Sequence, residues 1–403
     1  MRAALFAVAA LALVAGALAY DDTKGTTLRG FTFSSNVGEY LAISQDICDI
    51  RKMLNKQEPP YADAQAIYMD GKNAKTSTGK VLSMRELATQ KQVDLPFWKL
   101  YTKHFKTPVW IDDVVQRAFQ GLAPFKAPVQ RVQLIVKGLE SGLQVATLMT
   151  ALDRAAAALK AGKKDDALQA LDQGWAIFVG GNTDCGLWTV TMKRANEYGT
   201  KVNCESSGSS DKILKAFLKA QAAIKAGDQK GVEAAIKDVQ AAIFATFTQA
   251  TVTYAHEMYL DKEAGLPADE HQVEAYAFYR TIAPLVAAGN STASEALDFF
   301  LFPGQPVPAK DIDLVSLRAL GTAYEFNGIT PKDVGQYGRK QPELGCKAYV
   351  AKASEQGGLL SSTAAKDSLR PTEGAAAAAP ADGAAAPAAA APAPKAGTRR
   401  FLF

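Results

Sequence analysis

Apolar residues recur along this chain at helical spacing, and runs that alternate as a half-buried strand would are scarce. Between 36 and 54, Leu41, Ile47, Ile50 and Leu54 fall near a 3.6-residue period and predict a helix. Residues 61–72 predict a second helix, stopped by Gly71, and a short one follows Ser83, a good N-cap. The aromatic-rich run 95–120 divides in two. Pro96 suits a first turn, Thr107-Pro108 breaks the chain, and Asp112-Asp113 open the next helix, where its dipole favours acids. From Val129 to Phe178 the pattern is strongly helical, with a turn at Gly162-Lys163.

A second helix–turn–helix of this kind spans 215–244. The two share Ala-Ala-(Leu/Ile)-Lys-Ala-Gly, at 157–162 and at 222–227. QGWAIF at 173–178 also echoes EAYAFY at 274–279, although Ala-rich helices resemble one another by composition. The predicted architecture is all-α: a helical bundle of two related halves, 20–205 and 206–373, with the Ser/Gly stretch 206–210 between them. Asn290-Ser291-Thr292 is a glycosylation sequon in a predicted surface turn. From Gly374 the composition turns to Ala and Pro. Residues 374–403 are predicted to be disordered or polyproline-like, since repeated prolines break helices and alanine buries little.

The N-terminus predicts export. Met1-Arg2 precedes an apolar run that ends in Ala17-Leu18-Ala19, a cleavage signature, so residues 1–19 read as a signal peptide and the mature chain as starting at Tyr20. That run is short for a membrane span, and no other stretch is long and apolar enough for one. Arg399-Arg400 before Phe-Leu-Phe argue against a lipid-anchor signal. In an exported chain, Cys48, Cys185, Cys204 and Cys346 predict two disulfides, for which three connectivities exist. Cys185–Cys204, closing a local loop, with Cys48–Cys346, tying the ends of the folded region, is the favoured set. A net charge of +4, with basic and acidic residues intermixed, gives no argument for nucleic acid.

The chemistry concentrates between Phe244 and Val286, which holds two of the three histidines. Tyr254, Glu257 and Asp261 fall on one face of a predicted helix. Gly265-Leu266-Pro267 breaks the chain, and Asp269 is a plausible N-cap for a second helix. There His271 and Glu274 are three apart and can reach one point. Two helices joined by so short a loop lie antiparallel, bringing the carboxylates of one to the imidazole of the other. Oxygen donors with an imidazole suit a hard or borderline metal such as iron. The candidate ligands are His271, Glu274, Glu257 and Asp261, with Glu270, His256 and the phenols Tyr254, Tyr276 and Tyr279 beside them. The plainer alternative is a solvated charged face over an aromatic core. His104 has no carboxylate at helical spacing and reads as a packing or surface residue. No nucleophile elbow, phosphate loop, HExxH or dinucleotide fingerprint is present, so nothing supports an enzyme.

Four stretches resemble a known family: LRGFTFSSNVGEYLAISQDICDIRKML at 28–54, WIDD at 110–113, the QGWAIF…CGLW…KRANEYGT block, and EAYAFYRTIAP at 274–284. They are similar to the secreted iron-assimilation proteins of green algae, related to the phytotransferrins, over Thr26 to Cys346. The resemblance implies a periplasmic or secreted protein, induced by low iron or high carbon dioxide, that binds iron, ferric or ferrous, with ferric favoured. Carbonate stays open as a co-ligand. A cell-surface ferroxidase, permease or receptor would be the partner, and the tail would hold the protein in the cell-wall matrix. The other readings are a metal-free wall protein and an extracellular enzyme of unknown class.

Overall fold

The computed structural model describes residues 23–90, 92, 94–306 and 311–338. The signal segment 1–19, the Ala/Pro tail 374–403 and Cys346 lie outside the described residues.

The chain opens with a small hairpin that the all-α reading omits: β1 (Thr27–Leu28) pairs antiparallel with β2 (Phe31–Thr32). Its two-residue turn, Arg29-Gly30, has positive φ at both positions, as tight hairpin turns require. Phe31 is fully buried against Trp175 and Phe217, with ring centroids 5.3 and 5.9 Å away, and Trp175 Nε1 donates to Leu28 O at 3.0 Å. Ser34 N and Ser35 Oγ both donate to Asp172 Oδ2, at 2.8 and 2.7 Å. The hairpin is thereby laid onto the helical body.

The helices follow the periodic pattern closely. They are α1 (Gly38–Leu54), α2 (Tyr61–Asp70), α3 (Met84–Ala88), α4 (Pro96–Phe105), α5 (Trp110–Phe119), α6 (Pro128–Lys137), α7 (Gln144–Lys160) and α8 (Lys164–Val179). Then come α9 (Leu187–Tyr198), α10 (Gly208–Ala226), α11 (Gln229–Glu263), α12 (Asp269–Gly289), α13 (Ser291–Leu301), α14 (Ile312–Gly321) and α15 (Pro331–Val334). Local chemistry sets their ends. Ser83 Oγ accepts from Glu86 N at 3.0 Å to cap α3, Pro96 begins α4, and Gly71 follows α2 with φ of 70°. The Ser/Gly stretch near 206 starts α10, with Ser207 and Ser210 capping each other. Asn290 caps α13 by accepting from Ala293 N at 3.1 Å.

The spine is α11, 35 residues long, which packs against α7, α9, α10, α12, α14 and α15. From Ala241 to Ala255 every residue is buried, so this stretch is surrounded on all sides. It carries threonines rather than leucines at several positions. Thr246, Thr251 and Thr253 turn their hydroxyls back onto the carbonyls of Ala242, Phe247 and Gln249, which satisfies them inside the core. Between α6 and α7 the backbone continues as a π turn, Gly138–Leu143, and both α6 and this turn pack on α12.

The cysteines correct the sequence reading. Cys48 on α1 is bonded to Cys185, so neither Cys185–Cys204 nor Cys48–Cys346 forms. The twelve-residue helix α9 lies in the chain between Cys185 and Cys204, so this segment is a helix rather than a short local loop. Cys204 is disulfide-bonded as well. Around Cys48–Cys185 the two segments are already docked. Asn182 N donates to Ser44 Oγ at 2.9 Å, Gly181 N to Leu41 O at 2.9 Å, and Arg51 Nη1 to Asp184 O at 3.1 Å.

Candidate metal centre at the α11–α12 seam

Between α11 and α12 the chain reverses through Ala264–Ala268, with Gly265 at φ of 68°. Contacts across the seam run in opposite order along the two helices. Phe247 meets Phe278 at 6.0 Å between ring centroids, Tyr254 meets Phe278 at 5.3 Å and His271 at 6.1 Å, and Asp261 meets His271. The helices are therefore antiparallel, as the short loop predicts. Asp269 is the first residue of α12 rather than its cap, a position taken by Ala268, and its carboxylate accepts from Gln130 Nε2 at 3.1 Å.

His271 is buried, and its Nδ1 bonds Asp261 Oδ2. Three residues along, Glu274 is only 3% exposed. Its Oε1 lies 3.5 Å from Lys137 Nζ, while Oε2 has no hydrogen-bond partner. Burial pushes the Glu274 carboxyl upward, with Lys137 and His271 pulling the other way. Burial likewise raises the Tyr254 phenol, again opposed by Lys137. For Lys137 itself burial disfavours the ammonium, yet Tyr254, Glu274 and Glu140 outweigh it and the amine is held above its ordinary range.

The neighbouring wall comes from α9. Arg194, 2% exposed, lies 5.4 Å from the Tyr254 ring centroid and pairs with Glu197 at 2.9 Å. Lys193, although its chain reaches solvent, is brought down to about 8 by burial and by the charges of Arg194 and Lys137. Lys137 from α6 and Lys193 and Arg194 from α9 thus stand around Tyr254 and Glu274, with Glu197 beside the two α9 cations. Sequence reasoning missed all three cations, although Lys193 and Arg194 open the KRANEYGT block.

The other candidates are engaged elsewhere. His256 Nδ1 lies 2.9 Å from Asp313 Oδ2, with the Tyr337 ring 5.0 Å away, and Tyr337 Oη donates to Glu257 Oε1 at 3.4 Å. Glu270 accepts from Gln133 Nε2 at 2.7 Å. Tyr276 accepts from Arg280 Nη1 at 3.3 Å, and the fully buried Tyr279 Oη sits 2.9 Å from Ser294 O. Among the described residues no three His, Cys, Asp or Glu side chains are grouped to hold one ion. Of the nine candidates, Tyr254, Asp261, His271 and Glu274 line the seam. His104 is partly buried edge-on to Phe105 at 4.7 Å, and burial, with Arg280 and Lys106, lowers its imidazole to about 4.

No helix of the described residues is long and apolar enough to cross a membrane. Residues 3–283 match the model of a family described as Fea1, low iron-inducible periplasmic protein. Neither a curated protein nor a solved structure matches the chain.

Proposed function

The chain belongs to the Fea1 family of low iron-inducible periplasmic proteins, and we propose that it serves iron assimilation by binding ferric iron itself at the α11–α12 seam. The observation that carries this reading is the part-buried Asp261–His271 pair, set beside Tyr254 and a buried Glu274 oxygen that has no hydrogen-bond partner. Asp261 fixes the orientation and tautomer of the imidazole, the usual service of a carboxylate behind a metal-binding histidine. Glu274 and a phenolate from Tyr254 supply the hard oxygen donors that ferric iron prefers. Burial holds the Tyr254 phenol proton more firmly, so binding as a phenolate releases that proton to solvent. Water or carbonate would have to complete the sphere, since among the described residues no three His, Cys, Asp or Glu side chains are grouped to hold an ion.

In this reading the protein is a carrier, not an enzyme. It works in the periplasm or the cell wall, hands iron to a surface ferroxidase, permease or receptor, and is retained by its Ala/Pro tail. The test is ferric titration of the purified mature protein. One equivalent should bind, and the double variant His271→Ala, Glu274→Ala should lose most of the affinity while keeping its helical content. Near-zero iron on the unaltered protein would favour a metal-free wall protein instead.

A further inference from the structure

Between α9 and α10 the chain turns through 199–207, and a cavity of about 820 Å³ opens beside that turn. The buried Ala241, Ala242 and Ala245 of α11 line it, together with residues of 329–336. Its walls are pinned to one another. Gly208 N donates to Thr200 O at 2.8 Å, and Gln249 Nε2 donates to Thr200 Oγ1 and to Val334 O, at 3.2 and 2.7 Å. Gln336 N and Gly338 N donate to Tyr198 O and Glu197 O, at 3.1 and 2.9 Å. Gly335, with φ of 73°, makes this approach possible, since a Cβ there would collide with Tyr198 O. Charge in the cavity is one-sided. Lys201 comes from the turn, Lys212 from α10 and Lys332 from α15, against one acid, Asp333. Asp333 Oδ2 already accepts from Thr330 N and Oγ1, at 2.8 and 2.7 Å. The excess of two positive charges is half the net +4 of the whole chain, in which basic and acidic residues are otherwise intermixed.

We propose that this cavity binds a small organic anion carrying two or three carboxylates. Like charges gathered around one space repel, and an anion set between them turns that repulsion into attraction. Each lysine carries its charge on a flexible four-carbon stem, so three of them can close on separate carboxylates of one molecule. The volume falls in the range of about 300–1,000 Å³ usual for organic ligands, well beyond the need of a single inorganic ion. The apolar surface of the three alanines and Ile329 suits a carbon skeleton between the charged groups. The proposal stands apart from the ferric reading, since none of these residues is a ligand there.

The experiment titrates citrate, as the probe, into the full mature protein free of iron, at low salt, by calorimetry. One equivalent should bind, and inorganic phosphate, too small to reach separated cations at once, should bind at least about tenfold more weakly. The double variant Lys212→Gln, Lys332→Gln should weaken citrate binding by about tenfold or more. The control pair Lys160→Gln, Lys163→Gln removes the same charge from exposed positions outside the cavity lining, and should change the constant by less than about threefold. Absence of saturable citrate binding in the unaltered protein overturns the proposal. Equal losses in the two double variants overturn it too, because they would reflect net charge alone, and phosphate binding as tight as citrate overturns the class of ligand. Lys332→Gln alone, at an exposed position, keeps the test decisive if the cavity pair fails to fold: a loss under about twofold there overturns the proposal.

Discussion

Asp261 Oδ2 and His271 Nδ1 bond each other across the α11–α12 turn, joining the last turn of one helix to the first turn of the next. The bond holds the imidazole in one orientation against the α11 carboxylate. Asp261→Asn can still accept from Nδ1, but it loses the charge that raises the basicity of the ring. Ferric affinity should drop about ten- to a hundredfold, read by titration, with the circular dichroism spectrum unchanged. An unaltered constant would remove the pair from the metal site.

A phenolate bound to ferric iron absorbs visible light. Tyr254 lies on the seam, whereas Tyr279 is bonded to Ser294 and Tyr276 to Arg280. Iron-loaded protein should therefore be coloured, and Tyr254→Phe alone among the three phenylalanine variants should abolish the band. Persistence of the colour in Tyr254→Phe would point to another phenol.

Cys48–Cys185 closes a loop with a sequence separation of 137. In the chain-entropy account a loop of that length contributes about 5 kcal/mol at 25 °C by restricting the unfolded chain. Replacing both cysteines by alanine should lower the urea-unfolding free energy by that order. A loss under about 1 kcal/mol would show that the bonds from Asn182 and Gly181 hold the segments together unaided.

Asp172 is fully buried, and burial moves its carboxyl up from 3.8 to about 6 against the bonds from Ser34 and Ser35. The native state thus holds this proton at pH values where the unfolded chain has released it. Folding stability from this group is fully present below pH 3.8 and is lost as pH climbs through 6. Asp172→Asn does not titrate. Its stability relative to the unaltered protein should rise between those values and level off above, as followed by denaturant unfolding at stepped pH. A flat difference would mean that Asp172 is not raised.

What the sequence could reveal was local. Helix starts at Ser83 and Pro96, the stop at Gly71 and the antiparallel seam all follow from neighbours a few residues apart. His271 and Asp261 were legible because a short turn brings them together. Partners set by packing were not. Asp313 meets His256 across 57 positions, Lys137 meets Glu274 across more than a hundred, and no periodicity marks either pairing. Cys185 is bonded to Cys48, 137 positions away, and no local pattern marks that pairing. The hairpin at 27–32 escaped because two-residue strands have no alternation to read.

The π turn is, in mechanical terms, one thread too many on a screw. It lets α6 and α7 run on without a break while each keeps its own facing. Excising Gly142, which has open space where a side chain would stand, would let the thread close into a regular helix. Everything upstream would then wind by about 100° relative to α7. Lys137 would swing off Glu274 without any change to either side chain, so the pairing is timed by an insertion in the backbone as much as by the two residues that make it.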